Sequence, residues 1–249
     1  MEKRNLAEKN FFIGIDLGWK EKKTTGLCIL KKEGQKIFFE ESYCKKCQDI
    51  FGKNILKIIR PCLKNTAVIA IDAPLTRGRG KGKMRLYEKF LSTKIFRQEK
   101  VTPIPPALMS KLCDFAQEIR KKLEKRGFIL DINLIEVFPT LTKKIIEYSD
   151  FLKNVGIPKE IPCQTENRPF DKLRVMVSQS NHQKSAFICT ILAYLHFNFQ
   201  TRYLGYKDGF LFLPQMSFWK KEWRQKFYQA WMARDRLKYK HLITNVFLK

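Results

Sequence analysis

The chain has 249 residues, 44% hydrophobic and 29% charged, which suits one large domain with its own core and excludes bulk disorder. Lys and Arg number 49 against 24 Asp and Glu, a formal net charge of +25; nucleic acid is the polyanion such an excess attracts, and the alternative is a lysine-rich, thermophile-type ion-pair surface. No apolar run approaches the roughly 18–20 residues of a membrane span, and residues 1–10 are too polar for a signal peptide, so a cytoplasmic protein is expected.

Phe11 to Asp16 is an apolar run ending in an acid, which predicts a buried strand. Thr24 to Leu30 predicts a second strand, Lys32 to Gln35 a turn, and Lys36 to Ser42 a third strand. Cys47 to Leu63 has apolar residues near helical spacing. Ala67 to Asp72 repeats the first pattern, an apolar run closed by an acid and then by Pro74. Thr76 to Arg85 is a glycine-rich basic loop, and Leu86 to Phe96 a helix.

Ala107 to Arg126 predicts a helix with Leu108, Leu112, Phe115, Ala116, Ile119 and Leu123 on one face, closed by Gly127. Leu134 to Phe138 is a third apolar run carrying an acid, ended by Pro139. Thr140 to Tyr148 predicts a helix, and Gly156 to Pro169 a loop. Ser180 to Phe197 is the most apolar helix, with Asn181 as a candidate N-cap. Tyr203–Tyr206 and Phe210–Leu213 flank Lys207-Asp208-Gly209, a hairpin signal. Ser217 to Tyr239 predicts a basic amphipathic helix.

An antiparallel three-strand start followed by strands alternating with helices predicts an α/β fold, with helices flanking a mixed sheet. It is also the order of the RNase H-like fold. The expected organisation is a polar tail over 1–10, an RNase H-like domain over 11–214 and a basic C-terminal extension over 215–249.

Asp16, Asp72 and Glu136 sit at or near the ends of buried-type strands. Three carboxylates brought together repel, and a divalent cation removes that repulsion. Oxygen ligands favour Mg²⁺ or Mn²⁺, and two such ions hold both oxygens of a phosphodiester displacement. Each acid alone is equally well a turn former or a helix cap. Glu136 is less ordinary, because an acid inside an apolar run needs a partner. His182, in the first turn of the apolar helix, is a candidate ligand or acid/base group; the alternative is an ordinary helix-start histidine.

Several stretches resemble the domain-of-unknown-function 429 family, predicted nucleases with an RNase H-like fold. They are Gly14-Ile15-Asp16-Leu17-Gly18-Trp19 with Thr25-Gly26, Ile71-Asp72-Ala73-Pro74-Leu75, and Pro105-Pro106 with Met109. Next come Ile135-Glu136-Val137-Phe138-Pro139-Thr140, His182 to Ala186 with Ala193-Tyr194, and Asp208-Gly209-Phe210 through Leu213-Pro214. The resemblance implies a metal-dependent phosphodiesterase whose acids are Asp16, Asp72 and Glu136. It also implies an aspartate where this chain has Ser185, and an acidic motif after Leu75, where the nearest acid is Glu88.

Arg77, Arg79, Lys81, Lys83 and Arg85 alternate with small or apolar residues after Asp72. An extended loop would project all five to one side, as a nucleic-acid contact; a solvated loop is the alternative. The segment Ser217 to Lys249 holds nine Lys/Arg against Glu222 and Asp235. Its aromatics Trp219, Trp223, Phe227 and Trp231 form a stripe that packs on the domain, clamps nucleic acid or meets a partner helix, with a membrane-surface helix as a further alternative. Among seven cysteines, Cys44 and Cys47 form a C-x-x-C pair, expected to be reduced thiols, with a redox or metal role as the alternative. The functional expectation is a divalent-metal-dependent nuclease acting on DNA or RNA. Its rivals are a nucleic-acid-binding protein with a degraded site at Ser185, and a phosphotransferase of the actin-like ATPase fold, whose first phosphate motif Asp16-Leu17-Gly18 resembles.

Overall fold

A computed structural model of the chain describes residues 9–40, 47–78, 84–146, 180–237 and 241–247. Its centre is a six-stranded mixed sheet, flanked by helices. Strand β1 (Phe11–Asp16) lies between β2 (Thr25–Glu33) and β5 (Thr66–Asp72), and the path runs β3-β2-β1-β5-β6. β3 (Lys36–Phe39) and β4 (Cys47–Ile50) both pair with β2, at Leu30–Glu33 and Thr25–Cys28 respectively. These pairings and β1–β2 are antiparallel, whereas β1–β5 and β5–β6 (Leu134–Glu136) are parallel. β1 and β5 read as unbroken apolar runs because both of their faces are covered.

One face is covered by α6 (Asn181–Phe197), whose Ala186, Cys189 and Ala193 share a core with Phe12, Cys28 and Ala70. The other is covered by α1 (Ile55–Ile59) and α4 (Ser110–Glu124), which pack Ile59, Ala116 and Ile119 against Ile13, Ile15 and Ile69. α2 (Leu86–Leu91), α3 (Lys94–Gln98) and α5 (Pro139–Ile145) complete this part. A second sheet has the order β8-β7-β9, from β7 (Thr201–Tyr206), β8 (Gly209–Pro214) and β9 (Ile243–Thr244), and an isolated bridge from Val137 to Phe212 ties it to the end of β6. No helix among the described residues is long and apolar enough to cross a membrane.

Several sequence expectations are corrected. The helix expected over Cys47 to Leu63 is β4 followed by short helical turns, because Cys47 and Ile50 are buried against the free edge of β2 beyond β3. The helix expected over Leu86 to Phe96 is broken at Ser92 and Thr93 into α2 and α3. The long helix begins at Ser110, after a 3-10 turn over Pro106–Met109, which leaves Leu108 77% exposed rather than on the buried face. Gly127 does close this region, at φ +89°. Ser180, not Asn181, caps α6, its Oγ accepting Gln183 N–H at 3.1 Å.

The last helix, α7 (Lys221–Met232), is shorter than expected and leaves Trp219 outside it. The aromatic stripe packs on the domain: Phe227 meets Phe90 and Phe96 at ring-centroid distances of 5.6 and 6.1 Å, and Trp223 is buried. β9 then pairs with β7. Cys47 and four other described cysteines are free and buried; Cys44, the Gly156–Pro169 loop and Arg79, Lys81 and Lys83 lie outside the described residues.

Candidate functional site

The parallel register of β1 and β5 makes Asp16 and Asp72 Cα partners at the strand ends. Registered partners point to the same face of a sheet, here the α6 face, because Gly14 lies two residues before Asp16 and underlies α6. A Cβ on Gly14 would lie 2.1 Å from Thr190 Oγ1, and one on Gly26 would lie 2.1 Å from the carbonyl oxygen of His182. The two glycines let the N-terminal half of α6 sit directly on β1 and β2. That seating brings His182 Nδ1 to 3.0 Å from Asp16 Oδ2. Asp49 on β4 fixes the start of the same helix, accepting Ser180 Oγ–H at 2.8 Å and Gln183 Nε2–H at 3.4 Å. No sequence signal marked Asp49, since its segment read as helix.

Burial is the main force raising the Asp16 carboxyl above the usual range; His182 and Lys143 pull it down, and Asp49 pushes it up. Asp72 is raised well above the usual range, by burial first and then by Asp16 and Glu136, with Lys143 opposing. Among the described residues, no side chain donates a hydrogen bond to the Asp72 carboxylate. Lys143, on α5, reaches across to α6 and donates to Ser185 Oγ at 3.0 Å. The Lys143 ammonium is itself lowered, by burial before any other cause.

Glu136 lies in the same crevice but on the other sheet face, because it registers with Ile71 and not with Asp72. Its carboxylate is occupied. Arg85 grips it with two parallel bonds, Nη1 to Oε2 at 2.5 Å and Nη2 to Oε1 at 2.7 Å. Leu75 N–H donates to Oε2 at 2.9 Å, and the Tyr87 hydroxyl donates to Oε1. These four donors fill the roughly four acceptor positions of a carboxylate, so the expected third ligand is a clamp instead. Its need for a partner was legible; the partner, 51 residues earlier in the chain, was not.

Arg85 is only 1% exposed and also bonds Glu88 Oε1 at 2.5 Å. Despite burial, Glu136, Tyr87 and Glu88 hold its guanidinium charged. It belongs to the buried network, not to a substrate-facing row of basic residues. Arg77 is exposed and ion-paired with Asp114.

A cleft of about 240 Å³ opens over these groups, lined by four carboxyl residues (Asp16, Asp72, Glu88 and Glu136), one guanidinium (Arg85) and apolar side chains including Ile104. Among the described residues, no group of three or more His, Cys, Asp or Glu is arranged to hold a metal ion. Asp16 and Asp72 nonetheless fit a hard cation that takes one or two protein carboxylates and keeps water or phosphate oxygens as its other ligands. The half-buried Asp72 carboxyl, without a described side-chain donor, is the group such an ion would satisfy.

Comparison of the chain with protein-family models, with curated proteins and with solved structures gave no match.

Proposed function

We propose that the chain is a divalent-cation-dependent nuclease of RNase H-like fold that hydrolyses phosphodiester bonds in DNA or RNA. The observation that carries this reading is the in-register pair Asp16 and Asp72, on one face at the ends of neighbouring parallel strands. The strand order β3-β2-β1-β5-β6, antiparallel and then parallel, supports the RNase H-like assignment. The net charge of +25 supports a polyanionic substrate, and this reading places the protein in the cytoplasm.

A phosphate group does not approach a pair of carboxylates unless a cation stands between them. Mg²⁺ or Mn²⁺ held by Asp16 and Asp72 would polarise the phosphoryl oxygens and acidify an attacking water. His182, in contact with Asp16, would accept or return a proton beside the cleft. Glu136 shapes the wall instead, pinning Leu75 and Arg85 through its four accepted bonds.

Asp16→Asn should lose cleavage of DNA or RNA by about a hundredfold or more with Mg²⁺ or Mn²⁺, while its circular dichroism spectrum is retained. Equal cleavage by variant and parent would end the proposal. The Lys143–Ser185 bond favours a second reading, because a neutral hydroxyl stands where the family resemblance implies an acid. In that case the protein binds nucleic acid in a salt-sensitive way and cleaves none with any divalent ion.

A further inference from the structure

Lys143 has no part in the reading above, yet its position is specific. It projects from α5, which leaves β6 directly through Pro139, and crosses to α6. Its ammonium is held by a neutral oxygen, Ser185 Oγ at 3.0 Å, and makes no direct ion pair among the described residues. Ser185 stands three residues after His182 on the same face of α6, and His182 Nδ1 lies 3.0 Å from Asp16 Oδ2, so the tether holds the ammonium on the Asp16 side of the helix, where its charge acts on both Asp16 and Asp72. For Asp72 it is the cation that opposes the combined push of Asp16 and Glu136. A chain with 49 Lys and Arg thus brings a tethered ammonium toward the one strand-end pair that needs positive charge.

We infer that Lys143, positioned by Ser185, is a resident cation of the Asp16–Asp72 pair and takes the place of one divalent ion there. This rests on the reading of that pair as a metal site. The geometry separates two jobs. Ser185 adds no charge and accepts a hydrogen bond, so it orients the ammonium without neutralising it. The ammonium lowers the negative potential of the carboxylates, which weakens their hold on any divalent ion. A unit positive charge beside a divalent ion repels it, less so where solvent screens the pair. Removing that charge should therefore be visible in metal binding alone, without turnover.

The experiment is Mn²⁺ titration of the full chain, by isothermal calorimetry and by electron paramagnetic resonance of free Mn²⁺. Lys143→Ala is expected to bind Mn²⁺ at least tenfold more tightly than the parent, or to take up one more ion. Lys143→Arg keeps the charge and should stay near the parent. Lys144→Ala removes an equal charge from the neighbouring position, exposed like Lys143 but without the bond to Ser185, and should change affinity less than twofold. Asp16→Asn placed in the Lys143→Ala background should abolish the gain, which locates the ion.

If Lys143→Ala binds no more tightly than the parent while Asp16→Asn still removes binding, the role given to Lys143 is wrong and the metal site stands. If Lys144→Ala matches Lys143→Ala, the effect is general charge and the inference is wrong. If neither the parent nor Lys143→Ala binds Mn²⁺ at millimolar concentration, both this inference and the metal reading fail.

Discussion

Two acids at the same end of the sheet have opposite fates, and the difference is one residue of register. Glu136 registers with Ile71, faces the α4 side and finds Arg85, Tyr87 and the Leu75 amide. Asp72 registers with Asp16, faces α6 and meets like charge while half-buried. A carboxyl held above its unfolded value favours the fold when protonated and opposes it when ionised. With Asp72 raised, its favourable contribution is intact below the unfolded value of about 3.9 and is lost as pH rises through the folded one. Asp72→Asn cannot ionise. In EDTA it should therefore melt above the parent at pH 8, and the gap should close by about pH 4. The charged and titratable groups close enough to act on it are Asp16, Glu136, Lys143 and Cys189. A gap that does not change with pH would mean that Asp72 titrates alike in the folded and unfolded chain and is not held above its ordinary value. Removing an acid to gain stability is the mark of a group kept for something other than folding.

At the scale of elements, the site is made by one helix lying unusually close to two strands. α6 touches β1 through Gly14 and β2 through Gly26, and at Gly26 a Cβ would strike helix backbone, His182 O at 2.1 Å and His182 C at 2.5 Å. Backbone cannot rotate aside, so the first turn of α6 must move. Gly26→Ala should cost about 1–3 kcal/mol in urea denaturation, and the His182–Asp16 contact should loosen with it. A loss below about 0.5 kcal/mol would show that the seating tolerates a methyl group.

The same elements show what the sequence could and could not reveal. Buried central strands announce themselves as unbroken apolar runs, so β1 was legible to the residue, β5 to within one residue at its start, and their terminal acids with them, and β6 nearly so. β4 was not, because four residues on an edge lack the length to distinguish a strand period from a helical one. Arg85 was misassigned because charge spacing is local, whereas its partners Glu88 and Glu136 are set by how α2 and β6 meet. Lys143 and Ser185 lie 42 residues apart, and nothing in either segment announces the other.

Over the whole molecule, the cleft and the surface carry opposite signs. Four carboxyl groups and one guanidinium line the cleft, inside a chain whose net charge is +25. A polyanion is therefore drawn by the periphery and needs a cation at the centre, so binding and chemistry should separate experimentally. The row after Asp72 is the candidate periphery, but Arg85 is buried and Arg77 is shared with Asp114, which leaves Arg79, Lys81 and Lys83. Each phosphate contact adds about 0.9 to the magnitude of the slope of log K against log salt on duplex DNA, and about 0.7 on single strands. Replacing all three with Ala should reduce the slope by roughly 2–3 in fluorescence anisotropy titrations between about 50 and 200 mM salt. The control removes the same charge elsewhere. Lys57, Lys64 and Lys125 are exposed, and Lys64 precedes the start of β5, at the far end of that strand from Asp72. Replacing those three with Ala should leave the slope within about one unit of the parent. If both triple variants lower it equally, nucleic acid responds to total charge rather than to the loop, and the cleft loses its claim to be where the substrate lies.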